Sequence, residues 1–200
     1  MAQSSDPLPL TIVLSGPSGA GKDTLIRAAL KLDSSLATVA TVKTRPPRPG
    51  EIDGVHHVFL SDEEFDRWLT EGELLEHVEI YGHRSGVPRA PVEKLLREGK
   101  SVILRTDVQG ARTLREQLVD PLLVFVTAPD LATLERRIRH RGAESEADVA
   151  RRLAEVEAEL AESDWFDRVI INADDREGEA ARELVDWIAS ERQQRARARD

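Results

Sequence analysis

The chain contains no cysteine, which excludes thiol catalysis, disulfide staples and thiolate metal sites. The absence does not choose a compartment. Nor does any run approach the ~18 apolar residues of a membrane-spanning helix. The opening MAQSSDPLPL has no basic start followed by an apolar stretch, so no secretory signal is expected there and a cytoplasmic location is the default. Neither a repeat with a period of roughly 20–50 residues nor a heptad pattern is visible. Basic residues are in deficit: 28 Lys and Arg against 37 Asp and Glu give a net charge of −9. Wholesale binding to nucleic acid or to an anionic membrane is therefore disfavoured. An anionic substrate would need a local patch of Arg and Lys.

What is present reads as globular. The 200 residues are 40% hydrophobic and 32% charged, enough for one domain, with or without a small insertion, around a buried core. Leu10 to Leu14 (LTIVL) is a short β-rich run that ends in glycines and reads as a buried strand. Lys22 to Leu32 has helical periodicity, with Leu25, Ile26, Ala29 and Leu30 on one face. Two further buried strands, SVILRTD (101–107) and PLLVFVTAP (121–129), are each followed by a helical segment, and RVIINAD (168–174) precedes a last helix. Strands alternating with helices at this spacing predict an α/β fold built on a parallel sheet with right-handed connections.

Two regions break the alternation. One holds the turn TRPPRPGEIDG, a short strand HVFLS, a helix SDEEFDRWLTEG and a strand LLEHVEIYG. The other is mostly helical and heavily arginine-bearing. The expected organisation is a flexible tail over 1–9, a core assembled from 10–37, 90–130 and 166–190, a β-rich insertion over 38–89, a helical appendage over 131–165 and a flexible tail over 191–200. Appendages of this kind suit a phosphoryl-transfer enzyme that closes on its substrates and excludes water.

The most specific local signal is GPSGAGKDT, Gly16 to Thr24. The spacing G-x-x-x-x-G-K is intact, and it lies between a strand and a helix, the context a phosphate loop requires. From Gly16 through Pro17, Ser18, Gly19 and Ala20 to Gly21, such a loop turns backbone N–H groups onto phosphate oxygens, and the following helix adds its N-terminal dipole. Lys22 reaches the β- and γ-phosphates. The pattern breaks at Asp23, where a Ser or Thr hydroxyl on Mg²⁺ is usual, and Thr24 arrives one place late. Further on, Arg45 and Arg48 sit three apart among prolines that stiffen the segment. Two guanidinium forks in one turn can grip a phosphate, although the same pattern also suits a solvated surface turn.

In order and spacing, GPSGAGK, TRPPRPGE, GELLEHVEIYG, TDVQGA and RRIRHRGAESE resemble the guanylate kinases over roughly residues 10–187. The resemblance implies ATP as phosphoryl donor, Mg²⁺, GMP as the small-molecule substrate, and a phosphate-loop core carrying a GMP-binding insertion and a lid. It also implies a monomer or homodimer. By the same resemblance, Arg45 and Arg48 clamp the GMP phosphate, Thr41 and Glu76 read the base, and Asp107 lies near Mg²⁺ and the phosphates. Arg137, Arg141 and Arg152 become the lid arginines, and Asn172 lies near the adenine. A physical case for Glu76 stands beside this. Guanine offers two adjacent donors to a carboxylate's two oxygens, whereas adenine would leave an unpaired polar contact. On its residues alone, Glu76 also reads as an exposed strand carboxylate, and Asp107 as the cap of the next helix.

Four departures stand out. His57 and Ser85 replace two tyrosines that bind the GMP phosphate, Val87 replaces a hydroxyl residue, and Arg105 replaces an acid two places before Asp107. The expectation is a thinner phosphate clamp, with Arg84 available to compensate, and a working metal site in which Asp23 binds Mg²⁺ directly or through water. Two alternatives remain: a related small-molecule kinase resembling ribose 1,5-bisphosphate phosphokinase, which also carries Asp after the loop lysine, and a non-catalytic guanylate-kinase-like module that binds protein partners.

Overall fold

The computed structural model describes residues 8–48, 50–80, 82–140 and 146–198. Its core sheet has five strands, all parallel: β1 (Thr11–Ser15), β2 (Leu36–Thr38), β7 (Ser101–Arg105), β8 (Leu122–Thr127) and β9 (Arg168–Ile171), in the spatial order β2-β7-β1-β8-β9. The central strand β1 pairs Ile12 with Ile103 on one side and with Leu122 on the other. Strands enclosed on both faces must be apolar throughout, and β1, β7 and β8 are. Ile12 and Leu14 point to one face, packed with Leu25 and Ala29 of α1 (Lys22–Leu32) and Leu184 and Ile188 of α7 (Glu177–Arg197). Val13 points to the other, among Val92 of α3 (Arg89–Arg97) and Leu114 of α4 (Val108–Gln117).

The insertion forms a second sheet, β4-β3-β6-β5, from β3 (Thr41–Lys43), β4 (His57–Phe59), β5 (Leu74–Ile80) and β6 (His83–Pro88). β3 runs parallel to β4 and antiparallel to β6, and β5 and β6 form an antiparallel hairpin. Helix α2 (Asp62–Thr70) covers its outer face, where Phe65 packs on Val42 and Leu74. The helix starts at a capping box, Ser61 with Glu64. The β5–β6 register slips between Leu74 and Glu76. A bulge re-aims the side chains around it, and here Leu74 joins the α2 cluster while Leu75 joins the core cluster next to β7.

One expectation changes. The segment 191–197 is not a tail, because α7 continues to Arg197. Arg192 bonds Asp33 at 3.0 Å and Ser101 at 3.3 Å, and Arg195 pairs with Asp120 at 3.0 Å, so the last helical turns are tied to the core. Within 131–165, α5 (Leu131–Arg139) and α6 (Glu146–Ala161) send Leu134, Ile138 and Val156 into the same core cluster as β1. The described parts of that appendage are thus anchored to the core by apolar packing. Arg141 lies outside the described residues.

Candidate active site

The phosphate loop crosses from β1 to α1 at the carboxyl edge of the core sheet, where ligands bind in open α/β folds. Gly21 has φ +81°, and a Cβ there would stand 2.4 Å from Asn172 Nδ2. Any other residue at this position would push the loop off its support. That support is specific: buried Asn172 donates from Nδ2 to the carbonyl of Ala20 at 2.9 Å. Arg137 of α5 donates to the carbonyls of Gly19 (3.0 Å) and Asn172 (2.9 Å) and pairs with Asp174 at 2.7 Å. Gly19, Gly21, Thr24, Arg137 and Asn172 line an open cleft of about 330 Å³. Asn172 Oδ1 is buried without a hydrogen-bond partner among the described residues, an acceptor left for a ligand amine. Lys22 curls over its own loop, its ammonium donating to the carbonyls of Gly16 and of Pro17, the latter at 3.1 Å.

Asp23 and Thr24 part company on α1, as neighbours ~100° apart on a helix must. Thr24 lines the cleft beside Gly21. Asp23 instead forms an ion pair with Arg105, at the end of β7. The two departures from the family pattern are therefore partners of each other. Arg152 lies on α6, partly buried. One turn-pair further along that helix, burial pushes the Glu159 carboxyl up to about 7, against the pull of Lys22 and of a hydrogen bond from the Ser18 backbone.

The second sheet meets the core where β5 packs on α4. Glu76, only 3% exposed, is not a surface carboxylate. Burial first, and then the charge of Asp107, push it up to about 7, and the Thr106 hydroxyl donates to its Oε1 at 3.3 Å. Gly110 allows this approach: a Cβ there would meet Thr106 Oγ1 at 1.9 Å and Glu76 Oε1 at 2.4 Å. Asp107 caps α4 by accepting from the Gly110 N–H at 2.7 Å, as the plainer reading of it anticipated.

Around Glu76, Thr41 Oγ1 and His57 Nδ1 lie 2.8 Å apart. Burial, then Lys43 and Arg105, hold His57 down to about 4, so it works at neutral pH as an uncharged imidazole. Arg45 grips both oxygens of Glu51 at 2.7 Å, and Glu51 also accepts from the Arg48 N–H at 2.8 Å. The hydrogen bond from Arg45 is the chief cause holding Glu51 down to about 2. Glu51 thus presents to the arginine turn the kind of oxygen pair that a phosphate would. Ser85 Oγ accepts from Lys43 Nζ at 2.7 Å, and Val87 packs into the core. Arg84 cannot compensate for the absent tyrosines: it bonds Asp62 at 2.8 Å, pairs with Asp66 and lies over Phe65, on the α2 side.

Sequence reading passed over Lys43, Glu51, Thr106, Gly110 and Glu159. Some signals existed. Lys43 shares a strand face with Thr41 by the two-residue period, and Glu159 follows Arg152 by seven residues on one helix face. Nothing local marks Thr106 or Gly110, whose roles come from α4 packing against β5.

A parallel sheet with a strand–loop–helix phosphate site, facing a second sheet with a buried carboxylate and an arginine turn, defines a phosphate-loop kinase of nucleotide-sized acceptors. The sequence model of the family described as Guanylate kinase matches residues 9–191. A guanylate kinase of Rubrobacter xylanophilus is 49% identical over 163 residues, 82% of this chain and 85% of that protein. One of Sphingopyxis alaskensis is 44% identical, covering 92% of this chain and 84% of its own length. The crystal structure of guanylate kinase from Anaplasma phagocytophilum superposes with a TM-score of 0.71 at 27% identity, covering 93% of this chain and 87% of that one. The chain belongs to the guanylate kinase family.

Proposed function

We propose that the protein transfers the γ-phosphoryl group of ATP to GMP, giving ADP and GDP. Family membership supports the reaction, and one observation carries the acceptor: a carboxylate, Glu76, buried against Thr106 and Gly110 past the end of β7, with the hydroxyl residues Thr41 and Thr106 also buried. An ionised Glu76 would accept from guanine N1–H and N2–H₂ together. A sugar phosphate without a base gives no reason to bury a carboxylate here, and an intact Lys22 argues against a purely protein-binding module.

In this reading Gly16, Pro17, Ser18, Gly19, Ala20 and Gly21 cradle the ATP phosphates, Lys22 swings from its own loop carbonyls onto the β- and γ-phosphates, and Asn172 meets the adenine side. Arg45 and Arg48 exchange Glu51 for the GMP phosphate, with His57 and Ser85 beside it. An oxygen of that phosphate attacks the γ-phosphorus in line, and the bond to the bridging oxygen of ADP breaks, with no covalent enzyme intermediate. Arg137, Arg141 and Arg152 are proposed to balance the transferring charge. Among the described residues no group of three or more His, Cys, Asp or Glu is placed to hold a metal. That fits an ion carried by phosphates with one or two carboxylates, and Asp107 with Asp23 would hold it. Bound Mg²⁺ would neutralise phosphate charge. A monomer or homodimer in the cytoplasm, where ATP and GMP are at hand, completes the reading.

The test is ADP release with ATP and Mg²⁺ and, in parallel, GMP, AMP, UMP or ribose 1,5-bisphosphate. Turnover with GMP alone is expected. Turnover only with the sugar bisphosphate, or with none, would overturn the assignment.

A further inference from the structure

Lys43 is a cation of the second sheet to which the family resemblance assigns no role. It lies on β3 between Val42, buried under α2, and Thr44. Its side chain therefore shares the inner face of the second sheet with Thr41. The register pairs it with Ser85 across β6, and the ammonium donates to Ser85 Oγ at 2.7 Å. Among the described residues no carboxylate forms an ion pair with it: Glu51 is taken by Arg45, Asp23 by Arg105, and Asp62 and Asp66 by Arg84.

The groups that bear on Lys43 come from every element around it. Arg45 and Arg48 belong to the turn after β3, Arg105 to β7, Glu76 to β5 and His57 to β4. Three of these are permanent cations, one is a neutral imidazole, and the only acid among them is itself pushed toward its neutral form. A half-buried ammonium surrounded in this way lacks a counter-charge. Burial, with Arg105 and Arg45, accordingly holds it down to about 8. A doubly charged phosphate placed beside Ser85 would supply what the protein does not.

We infer that Lys43, presented through Ser85, is a ligand of the acceptor's phosphate and takes the place in this chain of the tyrosine hydroxyls that His57 and Ser85 have lost. The inference rests on the GMP kinase reading and deepens it. A charge-assisted hydrogen bond to phosphate replaces a neutral phenol contact, while Arg105, where the family carries an acid, is balanced by Asp23. The clamp is not thinned; it is rebuilt with charge instead of reach. Restoring Ser85→Tyr would then remove the hydroxyl that holds Lys43 and would weaken GMP binding.

Calorimetry on the full chain without ATP tests this, with GMP, guanosine and inorganic phosphate as probes. Lys43→Met should weaken GMP binding roughly ten- to a hundredfold while leaving guanosine binding unchanged, and Lys43→Arg should recover most of the loss. At pH 8.5 the unaltered chain should take up a proton on binding GMP, read from buffers of different ionisation heat, and Lys43→Met should not. Lys43→Gln, with its thermal midpoint checked, serves if the Met variant does not fold. GMP affinity unchanged by these substitutions, or guanosine affinity lost in parallel, would overturn the inference. If the unaltered chain binds guanosine and phosphate but not GMP, or binds none of them, the kinase reading itself fails.

Discussion

The phosphate loop and the second sheet are suited to recognise phosphate in different ways. On the phosphate-loop side the contacts come from backbone geometry: Gly21 at positive φ, Asn172 and Arg137 bracing the loop carbonyls. On the proposed acceptor side they would come from side chains on a small sheet and the turn after its strand β3: Lys43, Arg45, His57 and Ser85. The departures from the family pattern fall on the second side, at His57, Ser85 and Val87, or at the paired Asp23 and Arg105. Backbone recognition tolerates few alternatives because a Cβ in the wrong place displaces the loop. Side-chain recognition can be redistributed, since any cation of suitable reach can meet a phosphate oxygen.

The sharpest way to break this contrast is to remove the charged side chain that the phosphate loop itself carries. Lys22→Met should lower kcat by roughly 10²–10³-fold, the scale for losing one transition-state donor, while GMP binding measured without ATP stays the same. A parallel loss of GMP binding would mean that the two sides are not separable. Next in size is Glu76. In the proposed reading its ionised form accepts from guanine, and burial pushes its carboxyl up to about 7. Above pH 7.5 the GMP affinity measured without ATP should therefore no longer depend on the protonation of Glu76 and should decline only as Lys43, held down to about 8, loses its proton. That affinity should fall about tenfold per unit below pH 6.5, and Glu76→Gln should abolish that slope. Stability should move the opposite way. A carboxyl raised above its ordinary 4.5 contributes stability that is complete below that value and lost as pH rises through about 7. Glu76→Gln should therefore raise the thermal midpoint at pH 8 but not at pH 4.5. A midpoint unchanged at pH 8 would place Glu76 in contact with water.

The smallest effect is expected at the pair of Asp23 with Arg105. Asp23 is half exposed, so its pair with Arg105 should contribute no more than about 1 kcal/mol of stability. Asp23→Ser leaves Arg105 uncompensated near the Mg²⁺ position and should raise the Mg²⁺ midpoint by up to about fivefold. Adding Arg105→Asp should bring it back. Additive effects in this cycle would show that the two positions act independently.

Much of this molecule was legible before folding was considered. Helix α1 begins and ends where the periodicity places it, at Lys22 and Leu32. The strand–loop–helix context made the phosphate loop readable, and several motifs in one order made the family readable. Less was legible where short strands meet. β2 and β3 have three residues each, too few for a period to show, and the β5 bulge that brackets Glu76 has no local mark. The end of α7 has the polar composition of a tail, whereas Arg192 and Arg195 find partners on distant loops.

The order of residues along the chain set the parallel core, the glycine loop and the chemical type of each candidate ligand, because these follow from local periodicity and from the backbone freedom of single residues. Which charges meet was settled only when β7 came to lie against β1 and the second sheet folded back over α4. That step gave Asp23 to Arg105, left Lys43 among cations beside Ser85, and buried Glu76 under Gly110. Electrostatic pairing depends on distances of a few ångströms between residues tens of positions apart, and the packing of sheets and helices is what sets those distances.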